Sequence, residues 1–130
     1  IPGDGTKVGN YVHVDNVVEG HILAMEKGNK GESYILGGVN HSYNEFFEIL
    51  KDVSGLDYNL FRTPIAAQMI FARLNKFFSL LMGKKPALTT KWVRRGHYHW
   101  EVDPSKSVKK LGVKIIPLQE GIEKTISAIS

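Results

Sequence analysis

Apolar and polar positions alternate along this chain in short blocks, and the blocks change period several times. Residues 1–9 are Gly-rich and read as a loop. Tyr11, Val12 and Val14 are strand formers, and the stretch from Asn10 to His21 reads as a short strand turning straight into a helix. Asp15 or Asn16 offers a side-chain oxygen to the first helical turn, and Asn16 with Glu19 has the outline of a capping box. Lys27-Gly28 closes that helix with a cation and a glycine. Residues 33–37 form a short apolar run before Gly37-Gly38, suited to a buried parallel strand.

Ser42 and Glu45 make a cleaner capping box. Tyr43, Phe46, Phe47, Leu50 and Val53 then recur at helical spacing up to Gly55, and residues 58–61 suit a further short strand. Thr63-Pro64 supplies an N-cap and a first-position proline for the longest helix, which runs to about Met82-Gly83. Steps of about 100° put Gln68, Asn75 and Ser79 on one side of it, with Arg73 and Lys76 beside them. Ile70, Phe71, Leu74, Phe77, Phe78 and Leu81 take the opposite side. The mid-helix cations argue against a membrane span, and the wide apolar face is expected to pack in a core or against a domain. A membrane-surface or partner helix is the other reading. Residues 84–101 show weak periodicity, with a short helix from Thr89 or Thr90 to Arg95 and then an extended piece. Asp103-Pro104 starts a short helix that Gly112 ends. Pro117 opens the last one, with Leu118, Ile122, Ile126 and Ile129 on one face.

The chain has 130 residues, enough for a core of its own, and 42% hydrophobic with 23% charged residues is ordinary for a globular protein. The absence of cysteine excludes disulfides, thiolate catalysis and Cys-based zinc sites, and fits a reducing, cytoplasmic setting. No signal or transit peptide is visible. Net charge is +4, but between Lys84 and Lys110 eight Lys or Arg stand against Glu101 and Asp103 alone. Such a segment is either a solvated face or an anion-binding loop for a phosphate or carboxylate.

His97 and His99 flank Tyr98, which on an extended backbone puts both imidazoles on one face. No third ligand is evident, so no metal site is expected. His13 suits local structure or a substrate contact, and His21 a structural role. Lys91, Trp92, Arg94, Arg95, His97, Tyr98 and Trp100 mix cations with aromatics, a mixture that also suits nucleic acid. The modest charge and the lack of any nucleic-acid motif weigh against that partner.

Four stretches together resemble one family. Asn10–His21 resembles YVHVDDVAxGH of the extended short-chain dehydrogenase/reductases, the NAD-dependent epimerase/dehydratase group, with Asn16 in place of the second Asp. Residues 31–38 resemble its GERYILGG strand, 103–112 its D-x-S-K-A-x-x-x-L-G segment, and 117–122 its P-L-E-E-G-L helix start. Within the family, the Pro86-to-Trp100 region looks most like the branch of dihydroflavonol 4-reductases, 3β-hydroxysteroid dehydrogenases and hopanoid-linked sugar epimerases. The resemblance implies an α/β fold, here a mostly helical substrate-binding portion with a few short strands, as a fragment of a Rossmann-type enzyme.

The family's Gly-rich nucleotide loop and its catalytic Tyr-x-x-x-Lys pair are absent from these residues. Gly3, Gly5 and Gly9 are spaced otherwise and precede a strand, and no tyrosine here has a lysine four residues on. The chain opens at Ile1-Pro2-Gly3 without an initiator Met, as a fragment would. The resemblance therefore implies residues 1–130 of a C-terminal substrate-binding part whose N-terminal nucleotide-binding partner is missing. NAD(P) is expected for the full-length NAD(P)-dependent reductase, dehydrogenase or epimerase, and no cofactor, metal or catalytic residue for this fragment. It makes Arg94, Arg95 and Tyr98 the foremost contacts for a small-molecule substrate, with Lys91, His13 and Asn10 beside them. Sugar-nucleotide epimerases often carry a phosphate-holding Arg just before the Y-V/I-H-V strand. Lys7-Val8-Gly9-Asn10 has none, which favours a smaller or less charged substrate. A stand-alone, non-catalytic binding module is the alternative. Without the nucleotide half, strand 33–37 is expected to pair with the Tyr11–Val14 strand or with a second copy in a homodimer. Neither nucleic acid nor membrane is an expected partner.

Overall fold

The computed structural model describes residues 1–83 and 89–129, so Lys84, Lys85 and Pro86 of the basic stretch, and the side chain of Leu81, lie outside the described residues. In chain order the elements are β1 (Val8–Tyr11), α1 (Val14–Lys27), β2 (Val39–Ser42), α2 (Tyr43–Ser54), α3 (Ile65–Leu81), α4 (Thr90–Arg95), α5 (Ser105–Leu111) and α6 (Leu118–Ile129). The expected mostly helical portion with little strand is what forms. The chain divides into two compact units. One comprises residues 1–7 and 59–99, the other residues 8–58 and 100–130.

In the larger unit β1 and β2 pair antiparallel, with Val8 opposite Ser42 and Tyr11 opposite Val39. The expected strand at 33–37 does not form a ladder. Its carbonyls are instead met by side chains of α5: Lys106 Nζ donates to Ser33 O at 2.8 Å, and Ser107 Oγ lies 2.8 Å from Ile35 O. The anticipated partner of the first strand thus comes from just beyond Gly37-Gly38, and the edge on which a homodimer through 33–37 was expected is not a strand edge. The strand expected at 58–61 is also absent; Tyr58 Oη donates to Phe47 O at 2.7 Å.

Helix α1 starts earlier than the Asp15 or Asn16 cap implies. His13 is its N-cap, in extended backbone, and its Nδ1 accepts from Asp15 N–H at 3.2 Å. Asn16 therefore falls inside the first turn and faces inward, 2% exposed. Its Oδ1 accepts from Ile116 N–H at 2.9 Å and its Nδ2 donates to Lys114 O, tying α1 to the segment before α6. Leu36 packs on the same helix at Gly20, where a Cβ would stand 2.4 Å from Leu36 Cδ2.

Several other local signals in this unit hold. Ser42 and Glu45 form the capping box in both directions, at 3.3 and 2.7 Å. Gly55 and Gly112 end their helices in the left-handed region, at φ 65° and 80°. Asp103 accepts from Ser105 N–H at 2.9 Å ahead of α5. Leu111, Val113 and Ile122 are buried with Ser107 at the centre of this unit. At its rim Lys110 Nζ holds both oxygens of Glu32, at 2.8 and 3.0 Å, and Tyr34 Oη donates to one of them. The Lys110 and then the Tyr34 hydrogen bonds, with Lys106 adding to them, hold the Glu32 carboxyl down to about 2.

In the smaller unit the N-terminus runs beside residue 63 as a parallel bridge, Gly3 N–H donating to Thr63 O at 3.0 Å. Thr63 does not cap α3 with its side chain; Gln68 Nε2 reaches back to Thr63 O at 2.8 Å. The wide apolar face of α3 is not packed in a core of this unit, which leaves the domain contact of the two expectations. Its inward face is Ala72, fully buried, flanked by half-buried Gln68, Met69, Asn75 and Ser79. Ile70, Phe71, Leu74, Phe77 and Phe78 face outward, each more than half exposed. Helix α4 forms as expected and buries Val93. A turn follows it, His97 N–H donating to Arg94 O and Tyr98 N–H to Arg95 O, so His97 and His99 do not share a strand face. The His97 ring packs on Gly3 and His99 Nε2 lies 3.3 Å from Lys7 Nζ.

The two units differ sharply in charge. Nine of the seventeen Lys and Arg fall in residues 1–7 and 59–99 with a single acid, Asp4; the other unit holds eight against twelve acids. The formal charges are +8 and −4.

Candidate functional site

The larger unit contains an apolar groove of about 560 Å³. Its floor is the turn from β1 into α1, residues Asn10 to His13. One wall comes from α2 through Phe46 and Leu50, the other from Ile116-Pro117 and the face of α6 carrying Leu118, Ile122, Ile126 and Ile129. The last four are the helical stripe visible in the sequence. Tyr11 stacks on Phe46 with ring centroids 4.5 Å apart and planes 13° from parallel. Burial, and then Tyr43, pushes the Tyr11 hydroxyl above its ordinary value.

Few polar groups line the groove, and their hydrogen bonds run back into the protein. Asn10 Nδ2 donates to Gly38 O at 3.2 Å and to Asn40 Oδ1 at 2.8 Å, while its Oδ1 accepts from Gly38 N–H at 2.9 Å. Thr125 Oγ1 donates to Gly121 O at 2.7 Å. His13 is the exception. Its Nδ1 is occupied by the Asp15 amide, which leaves the ring proton on Nε2, and the ring rests against Gly121. A groove of this kind takes a mostly apolar body with few directed polar contacts.

The candidate residues fall in both units. Asn10 and His13 line the groove, Asn10 with its amide already engaged. Lys91, Arg94 and Arg95 surround the buried Val93 on α4, all three exposed, with Tyr98 in the turn that follows. The Arg95 guanidinium lies 5.8 Å from the Trp92 ring. Tyr11, Phe46 and Leu50 of the groove were legible only as strand and helix formers; an apolar stripe reads as core until the structure leaves it facing a cavity. Among the described residues no group of three His, Cys, Asp or Glu side chains could hold a metal ion.

Both strand-to-helix junctions are closed to a phosphate. A nucleotide cradle needs free backbone N–H groups at a helix N-terminus, reached over glycine. At α1 the His13 ring takes an N–H of the first turn, and at α2 the Ser42 and Glu45 side chains do so, Glu45 adding a negative charge.

No protein-family model matches the chain. The chain is 30% identical to the 3beta-hydroxysteroid-dehydrogenase/decarboxylase isoform 1 of Arabidopsis thaliana, an alignment covering 100% of this chain and 33% of that protein. It is 33% identical to the short-chain dehydrogenase/reductase family 42E member 1 of Homo sapiens, over 93% of this chain and 34% of the relative. Among solved structures it is similar to the UDP-glucose 4-epimerase with UDP-glucose from Thermotoga maritima. The TM-score is 0.68 at 27% identity, covering 99% of this chain and 33% of the epimerase. The chain spans about a third of the length of the curated relatives it matches.

Proposed function

Because the chain belongs to the extended short-chain dehydrogenase/reductases, the NAD-dependent epimerase/dehydratase family, we propose that it is the substrate-binding portion of an NAD(P)-dependent oxidoreductase or epimerase. The observation that carries this is the alignment itself. Nearly every residue finds a counterpart in relatives three times as long, while the Gly-rich loop and the Tyr-x-x-x-Lys pair are absent from this third. In the whole enzyme the cofactor supplies or accepts hydride. The residues of this chain bind and orient the substrate carbinol or ketone and keep water from it. In the larger unit His13 lines the apolar groove; in the smaller unit Lys91, Arg94, Arg95 and Tyr98 are exposed candidates for contacts to a polar or anionic group. The apolar groove and the lack of an Arg in residues 7–10 favour a substrate less charged than a sugar nucleotide. An uncovered stripe on α1, Val14, Val18, Ile22 and Met25, gives the nucleotide-binding portion a surface on which to pack.

With both strand-to-helix junctions closed, the 130-residue chain by itself is expected to bind neither NADH nor NADPH. Titration calorimetry checks this. No saturable heat up to millimolar cofactor is expected, and micromolar binding of either would contradict the division of labour proposed.

A further inference from the structure

We propose that His13 is a proton-operated switch at the start of α1: neutral, its imidazole caps the helix, and protonated, it leaves the cap for the Asp15 carboxylate and puts a cation on the groove floor. The neutral state is the one seen. His13 Nδ1 accepts from Asp15 N–H at 3.2 Å, and the ring lies against α6, where a Cβ on Gly121 would stand 3.6 Å from His13 Cδ2. The side chain is 12% exposed. The usual cap residues Ser, Thr and Asn keep their acceptor oxygen at any ordinary pH, and Asp keeps its charge down to about pH 4. A neutral imidazole has one acceptor nitrogen and an imidazolium has none, and histidine changes charge between about pH 5 and 8. A cap made of histidine is therefore one that acid removes.

Protonation sets Nδ1–H against Asp15 N–H, donor facing donor, at the positive end of the α1 dipole. A second partner stands beside the first: Asp15 Oδ2 lies 3.4 Å from the same nitrogen. That carboxylate is exposed and can turn to meet the ring. The other elements around the ring bring further titratable groups. On α6 Glu120 pairs with Lys124 at 3.0 Å, and this bond, with Asp15 adding to it, holds the Lys124 amine above its ordinary value. Glu19 lies one turn along α1, Lys114 in the segment before α6 and Tyr11 on β1, while α2 contributes Phe46 and Leu50 to the groove wall. Asp15 is thus the acid placed to receive the charged ring. The groove feels the change in two ways. Ile116 and Ile122 line it with His13, and an apolar lining disfavours a cation. The His13 carbonyl also accepts from Asn16 N–H at 3.1 Å, and Asn16 is the buried tie to Lys114 and Ile116, so a loosened first turn reaches the groove wall.

The test is NMR of the full chain, with isotope-labelled nitrogen, titrated from about pH 8 to about pH 5. At the upper end the His13 proton should sit on Nε2, with scalar coupling between Asp15 N and His13 Nδ1 across their hydrogen bond. At the lower end that coupling should vanish, and the Asp15 and Ile116 amides should shift with the same midpoint as the ring. His13→Asn keeps a cap acceptor that does not titrate, so those amide shifts should disappear while circular dichroism matches the parent. Asp15→Asn removes the receiving carboxylate, and opening the cap should then take about threefold more acid. His41→Asn, which removes the imidazole 3.6 Å from Glu45, should leave the Asp15 and Ile116 shifts as they are. Coupling that is missing at the upper pH or persists at the lower one would overturn the proposal. So would a ring that titrates without moving Asp15 and Ile116, or amide shifts that survive in His13→Asn.

Discussion

Replacing Gly38 with alanine should cost the chain about 3 to 5 kcal/mol of stability, in the range reached when backbone packing itself is broken. A Cβ there would stand 1.9 Å from the Tyr11 carbonyl oxygen, 2.7 Å from its carbonyl carbon and 2.7 Å from Val12 Cα. All three atoms are backbone, so no side chain can rotate aside. The two segments must part, and parting them breaks both hydrogen bonds between Gly38 and the Asn10 amide. The pairing of Tyr11 with Val39 follows directly, and with it the β1 end of the groove floor. Gly31→Ala is the control: its φ of +82° strains any side chain, but nothing lies within 4 Å. That substitution should cost only about 1 to 2 kcal/mol. Urea unfolding of the two variants beside the parent measures the difference; equal losses would mean that the contact at Gly38 is relieved without parting the two segments.

Asn16→Leu is expected to cost about 2 to 4 kcal/mol, the penalty of leaving buried polar groups unpaired. The leucine is close in size, so the loss comes from the Ile116 amide and the Lys114 carbonyl, which then have no partner across α1. Hydrogen exchange reads this at a single site. The Ile116 amide should exchange faster in the variant relative to amides in the middle of α2, while unfolding shifts to lower urea. Unchanged protection at Ile116 would show that another group satisfies it.

What the sequence revealed and what it hid divide along the range of the interaction. The Ser42–Glu45 box, the left-handed Gly55 and Gly112, and the stripe of α6 are each set within one or two helical turns, so their residues declare them. The strand expected at 33–37 fits the local pattern as well as β2 does. Its failure depends on Lys106 and Ser107, some 70 residues on, which take its carbonyls first. His13 went unread as a cap because His is an unusual one, and Asn16, freed from capping, became the buried tie. Periodicity located the apolar stripe of α3 but carries no sign for inside or outside, and the stripe faces out.

The site was legible in the same partial way. His13 and Asn10 do line the groove, but a sequence cannot show that Gly38 and Asn40 already occupy the Asn10 amide. Lys91, Arg94, Arg95 and Tyr98 read as a run of cations and aromatics; the first three lie on the short α4 and Tyr98 in the turn after it, all exposed. The α2 and α6 walls carry no chemical signal beyond hydrophobicity, so only the fold separates a groove from a core.

Sequencing the reading frame upstream of the Ile1 codon tests most directly whether this chain is one part of an NAD(P)-dependent enzyme. The expected result is an open frame that continues through a strand, a Gly-x-x-Gly-x-x-Gly loop opening a helix, and a Tyr-x-x-x-Lys pair. A start codon near Ile1 with no such frame before it would contradict that origin.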